Sequence, residues 1–130
     1  MGENVEEPTG QLTVRVPAMP ADANAAGDIF GGWVMSQMDL AAGIRGAERA
    51  QGRVATVAVD KLTFRKPVKI GDTLCVYTAI DHVGRTSIRI RVEAWALRYL
   101  TRERTMVTEG VFTMVALDHS GTPTPVPAEA

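Results

Sequence analysis

An α+β fold, with a curved antiparallel sheet of about five strands wrapped around one long central helix, is predicted by three features of the sequence. One short alternating strand comes first, a single convincing helical stretch follows it, and everything after Gly52 reads as long β-forming runs separated by short turns.

Each element has its own signal. Residues 1–10, MGENVEEPTG, are polar and acidic and are expected to form a disordered tail. In residues 11–18, Leu12, Val14 and Val16 alternate with Gln11, Thr13 and Arg15, the pattern of a half-buried strand. The segment MPADANAAGDIFGG is a loop by its Gly, Pro, Asn and Asp content, and the helix is expected from Trp33 to about Gln51, roughly 27 Å at 1.5 Å per residue. Four runs rich in Val, Thr and Ile follow: VATVAVDKLTF, TLCVYTAIDHV, TSIRIRVEAWALRYL and RTMVTEGVFTMVAL, with turns at KPVKIGD, VGR and TRE. One domain over 11–118 is therefore expected, followed by a Pro-rich tail, 119–130, whose prolines keep it extended on the surface and out of the sheet.

Composition excludes several functions. In 130 residues, Lys plus Arg number 14 against 15 Asp plus Glu, and no basic stripe dominates, so neither a nucleic-acid nor a membrane-surface partner is expected. No apolar run approaches a membrane span and the first residues lack a secretory pattern, which points to a soluble, cytoplasmic protein. Cys75 is the sole cysteine and sits in an apolar run, so a buried packing role is expected for it. With only His82 and His119 beside it, no His/Cys metal site is expected, and no cofactor motif is present.

The helix carries small residues, Ala41, Ala42, Gly43, Gly46 and Ala47, a surface on which strands can approach closely. Gly43 and Gly46 each cost about 1 kcal/mol of helix propensity relative to Ala, a cost that close packing would offset. Met35 and Met38 read as core. A single sheet covers one side of such a helix, and the remaining apolar surface predicts at least a dimer.

Within NAAGDIFGGWVMSQMD, Asp39 has Met35, Ser36, Ala42 and Gly43 as its helical neighbours, none of which pairs with a carboxylate as Lys or Arg would. A carboxylate so placed is expected to be partly desolvated and poised to take a proton or attack an electrophile. A solvent-facing aspartate is the alternative. Gly31 and Gly32 at the helix start leave backbone N–H groups free for an incoming oxygen, reinforced by the helix dipole. Asn24 adds a neutral amide able to donate to a carbonyl or orient a water, or else simply to close a turn. Together these are the parts for acyl transfer.

The strings DANAAGDIFGGWVMSQMDLAAG, RVATVAVDKLTFRKPVKIGD and HVGRTSIRIRVEAW resemble the YciA-type bacterial acyl-CoA thioesterases of the hotdog superfamily, from about Leu12 to Val126. The resemblance implies a hotdog fold, hydrolysis of acyl-CoA thioesters, and a trimer of dimers. It implies Asp39 as the catalytic helix carboxylate, Asn24 as the polar loop residue, and Gly31 or Gly32 as the backbone donor. In related enzymes the carboxylate and the loop donors of one site come from two subunits.

For the CoA end, Arg65 and Lys66 in FRKP and Arg85, Thr86 and Ser87 in VGRTS are candidate phosphate contacts, by charge, hydroxyls and turn amides. Similar proteins place CoA at VGRTS, which favours Arg85. Arg89 and Arg91, alternating with Ile88, Ile90 and Val92, read as a solvated sheet face. Similar chains carry a basic residue in the tail after Gly121, where this chain has GTPTPVP, with Thr124 and no Lys or Arg. Hydrolysis of short- to medium-chain acyl-CoA is the leading reading, with Asp39 as base or nucleophile. A hotdog dehydratase is disfavoured, since no histidine lies before His82. A module that binds acyl-CoA without hydrolysing it is the alternative from another class.

Overall fold

The computed structural model describes residues 7–129. Its elements follow in the order β1 (Gln11–Pro17), a short 3-10 turn (Pro20–Asp22), α1 (Gly31–Ala50), β2 (Arg53–Phe64), β3 (Thr73–Val83), β4 (Ser87–Leu97) and β5 (Arg104–Leu117). The strands form one sheet in the order β1-β3-β4-β5-β2, and every neighbouring pair is antiparallel. The helix touches all five strands from one side, so the sheet curls around it as expected.

The alternation in the sequence fixes which face is inside. On β4, Ile88, Ile90, Val92 and Ala94 are fully buried, and on β5 Phe112, Met114 and Ala116 join them. Against this face the helix buries Val34, Met38, Ala41, Ala42 and Gly46. Gly46 explains the close approach: a Cβ there would meet Met114, Val54 and Ile90 at 3.4–3.5 Å. Gly43 does not share that explanation, because a Cβ at this position meets nothing within 4 Å.

On the outer face an ion-pair chain runs through Arg65, Glu109, Arg91 and Glu93, with N–O distances of 2.5, 3.2 and 3.4 Å. Arg91 thus lies on a solvated face, as expected. Arg89 departs from that reading, because its Nε is buried without a hydrogen-bond partner among the described residues.

Other boundaries differ from expectation for local reasons. The helix begins at Gly31, two residues before Trp33, because two glycines suppress the propensity signal there without preventing helical geometry. β4 stops at Leu97 rather than Leu100. Arg102 takes a left-handed φ of 61°, closing a turn that leaves Tyr99 and Leu100 exposed. Met35, expected in the core, is exposed, whereas Met38 is fully buried.

Of the tail expected over residues 1–10, the first six lie outside the described residues, while Thr9 donates its N–H and hydroxyl to the Glu93 carboxylate at 3.1 and 2.6 Å. The Pro-rich segment is extended, as its prolines require, and it is tied to the domain by several hydrogen bonds. No helix among the described residues is long and apolar enough to cross a membrane.

One surface is left uncovered. β2 is an edge strand twelve residues long, and its Val57 is 59% exposed. Leu40, 55% exposed, and Ile44 on the helix, with Phe30 and Phe64 near the helix start, are also exposed. A long exposed edge strand and exposed apolar side chains on a helix are features of a surface that pairs with another chain.

Candidate active site

Asp39 is the ninth residue of α1, on its exposed side. The expectation of a desolvated carboxylate is not met within a single chain. What holds the carboxylate is a hydroxyl: Thr56 Oγ1 on β2 donates to Asp39 Oδ1 at 2.5 Å. Thr56 faces the helix because it pairs in register with Met114, a core residue of β5. Its oxygen also lies 3.4 Å from Met114 Sδ. A hydroxyl has one proton, and the carboxylate is much the stronger acceptor. No cation pairs with Asp39 among the described residues, so its remaining lone pairs have no side-chain partner there.

Thr56 was not singled out from the sequence. The available signal was weak: a polar residue at an inward-facing position of a strand whose other inward residues are apolar.

Asn24 closes the loop turn. Its Oδ1 accepts from Ala26 N and Asp28 N at 2.9 and 3.1 Å, and its own N–H bonds Asp28 O at 2.7 Å. Because two backbone N–H groups claim the oxygen, the side-chain orientation is determined, and the Nδ2 amide protons have no partner among the described residues. A Lys69–Asp28 ion pair at 2.6 Å ties the same loop to the β2–β3 connection.

The helix start has no side-chain cap. Trp33 N and Val34 N both turn back to Phe30 O, at 3.1 and 3.3 Å, which leaves the Gly31 and Gly32 N–H groups without partners among the described residues. A Cβ on Gly31 would sit 3.4 Å from the Phe64 ring, whereas Gly32 faces open space. Here a cleft of about 370 Å³ opens, lined by Ile29, Val34, Phe64, Val68 and Val107 together with Arg65 and Lys66. Arg65 already pairs with Glu109, so Lys66 is the uncommitted cation of this cleft among the described residues.

The third part lies at the opposite end of the sheet. Gly84 N bonds Ser87 O at 2.8 Å and closes the β3–β4 turn. The carbonyls of Arg85 and Thr86 are taken by Val126 N and Ala116 N, both at 2.8 Å. The N–H groups of Arg85 and Thr86, the hydroxyls of Thr86 and Ser87, and the exposed Arg85 guanidinium stay unpartnered among the described residues, a donor set suited to an anion. Ser87 stands opposite Val115, whereas Arg65 bonds Val107 O, so the two basic groups are roughly 25 Å apart along the strands. They do not converge in one chain.

Nor do the acyl-transfer parts converge. From Gly32 to Asp39 is roughly 10 Å along the helix axis, too far for one thioester carbonyl to meet both. Asp39 with Thr56 and the Gly31–Gly32 amides therefore stand apart within one chain.

Burial pushes the Cys75 thiol up from its ordinary value, with Arg15 and Arg104 opposing, which agrees with an inert packing role. No group of three or more His, Cys, Asp or Glu side chains able to hold a metal occurs among the described residues.

The thioesterase superfamily matches residues 26–98. Acyl-CoA thioester hydrolase YciA of Escherichia coli is 46% identical over 125 residues, 94% of this chain and 95% of that protein. A hexameric thioesterase from Yersinia pestis superposes with a TM-score of 0.91 at 50% identity, covering 95% of this chain and 100% of its own. A hexameric broad specificity acyl-coenzyme A thioesterase superposes with a TM-score of 0.90 at 47% identity, over 95% and 86% of the two chains. That enzyme has also been solved with an aspartate changed to alanine. The acyl-CoA hydrolase of Staphylococcus aureus, 28% identical, has been solved with one asparagine and, separately, one threonine changed to alanine. Those two positions are the same number of residues apart as Asn24 and Thr56.

Proposed function

The chain belongs to the hotdog-fold thioesterase superfamily and, within it, to the YciA-type acyl-CoA thioester hydrolases, and from that membership we propose that it hydrolyses short- to medium-chain acyl-CoA to free CoA and a carboxylic acid. The observation that carries the proposal is a helix carboxylate, unpaired with any cation among the described residues, fixed by one threonine hydroxyl.

Asp39 takes a proton from a water whose oxygen bonds to the thioester carbon, or its own oxygen forms that bond and water releases the resulting anhydride. In either case the carbonyl electrons move onto oxygen, where the Gly31 and Gly32 N–H groups and the Asn24 amide receive the charge. Collapse breaks the C–S bond, and CoA leaves as a thiolate. No metal or cofactor takes part in this scheme.

The roughly 10 Å between the helix-start amides and Asp39 requires two chains. A two-fold axis that sets two helices antiparallel carries the amino-terminal amides of one chain toward the middle of the other, where Asp39 lies. The exposed β2 edge with Val57, and Leu40 and Ile44 on the helix, supply the surface for that pairing. The hexameric relatives at 47–50% identity support three such dimers per assembly. Arg85, Thr86 and Ser87, with Lys66 and Arg65 as the second group, receive the CoA phosphates in this reading.

Thiol release from acyl-CoA esters of increasing chain length, in the presence of a metal chelator, tests the proposal. Turnover is expected on at least one short or medium chain. Binding without hydrolysis across the series would instead establish a sensor.

A further inference from the structure

The segment that follows β5 has an ordered pattern of donors. Asp118 Oδ1 accepts from Ser120 N and Thr122 N at 2.9 and 3.0 Å, and Gly121, with φ of +84°, completes a reversal of the chain. From there the sequence TPTPVP alternates residues that have an N–H with prolines that lack one. Each N–H is used. Thr122 N bonds Asp118, Thr124 N bonds Ala116 O at 2.9 Å, and Val126 N bonds Arg85 O at 2.8 Å. Pro127 then offers its carbonyl to Arg49 Nη1 at 2.6 Å, and the Val126 side chain packs against the core.

Two adjacent residues therefore connect the β3–β4 turn to the last helical turns of α1. Ala116 closes the circuit, since its N–H goes to Thr86 O while its own carbonyl takes Thr124 N. The carbonyls of Arg85 and Thr86 are both held, while the N–H groups of the same two residues stay unpartnered among the described residues. Three prolines keep the segment extended before it docks, which lowers the entropy lost in holding the turn.

We propose that this segment is a strap that positions the CoA-binding turn, with Arg49, Val126 and Pro127 as positioning residues. The inference rests on the reading that Arg85, Thr86 and Ser87 receive the phosphates of CoA. It assigns the tail a contribution that needs no charge of its own, in keeping with Thr124 and the absence of Lys or Arg after Gly121. A turn held in its binding shape loses less freedom when the anion arrives.

Val126→Pro removes one N–H and keeps an extended chain between Pro125 and Pro127, whereas Val126→Ala keeps the N–H and trims the packing. With acyl-CoA as substrate, Val126→Pro is expected to raise KM about tenfold and leave kcat within about twofold, the size of one lost hydrogen bond. Val126→Ala should stay within about twofold on both. Arg49→Ala should follow Val126→Pro, and Arg49→Lys, which can still donate to the Pro127 carbonyl, should recover most of the loss. The same acyl thioester of pantetheine has no nucleotide phosphates, and all four variants should handle it as the unaltered enzyme does.

If Val126→Pro and Arg49→Ala leave KM unchanged while Arg85→Ala raises it, the strap has no positioning role and the phosphate site stands. If Arg85→Ala also leaves KM unchanged, the phosphate reading falls, and the strap proposal with it. An equal loss on the pantetheine thioester would mean general damage to the fold and would overturn the proposal too. Should Val126→Pro fail to fold, the Arg49 pair decides alone.

Discussion

Asp39 is unusual for what does not touch it. A cation three or four residues away would pair with a helical carboxylate, and here Met35, Ser36, Ala42 and Gly43 occupy those places. The sequence therefore marks Asp39 as a carboxylate kept for another purpose. It does not reveal Thr56, the one group that holds Asp39, because the contact spans 17 residues and joins two elements whose register only the folded sheet sets. Replacing Asp39 with Asn keeps the volume and removes the charge. Turnover should fall by about a thousandfold with CoA affinity retained. Thr56→Ala should cost about tenfold in kcat, and Thr56→Ser, which keeps the hydroxyl, should recover most of it. Initial rates of thiol release with a binding titration on the same samples check both. Near-normal turnover of Asp39→Asn would return Asp39 to the status of a surface residue.

Among the elements, the strands were the most legible, because alternation such as Ile88, Arg89, Ile90, Arg91, Val92 has one physical meaning when a sheet buries a single face. Their ends were less so. Tyr99 and Leu100 favour a strand by residue type, yet a left-handed backbone at Arg102 turns the chain there, and nothing in that residue's chemistry announces it. The glycines of α1 show the same limit, since they look alike in sequence and differ in surroundings. Gly46→Leu forces a side chain against Met114, Val54 and Ile90, and should destabilise the protein by about 3 kcal/mol or more. Gly43→Ala meets nothing within its own chain and gains helix propensity, so in the dissociated chain it should stabilise by roughly 0.5–1 kcal/mol. Thermal midpoints compared at one protein concentration measure the contrast. Equal effects of opposite sign to these would mean that the helix sits on the sheet by a different face. The tail was legible as extended, from its prolines, while its partners Arg49 and Arg85 were not, because both bonds run to or from the backbone and leave no mark on side-chain type.

At the scale of the whole molecule, the candidate catalytic groups of one chain stand apart. The amides of Gly31 and Gly32 lie roughly 10 Å along the helix from Asp39, and the apolar surface of Leu40, Ile44 and Val57 is uncovered. In the proposed pairing of two chains, the contact that covers the surface also brings one chain's amides to the other's carboxylate. The sequence predicted a partner from the surplus of apolar helix surface, and the proposed function gives that partner a chemical role. The decisive measurement mixes two inactive variants. Asn24→Ala and Asp39→Ala are unfolded together in equal amounts and refolded, and thiol release is followed once mass spectrometry has confirmed mixed dimers. Random pairing makes about half the dimers mixed, and two-fold symmetry puts both lesions into one of their sites and none into the other. If Asn24 and Asp39 meet across the interface, the mixture recovers about one quarter of the unaltered activity. If no activity returns although mixed dimers are present, both residues serve a site within one chain, and a catalytic centre shared between subunits is contradicted.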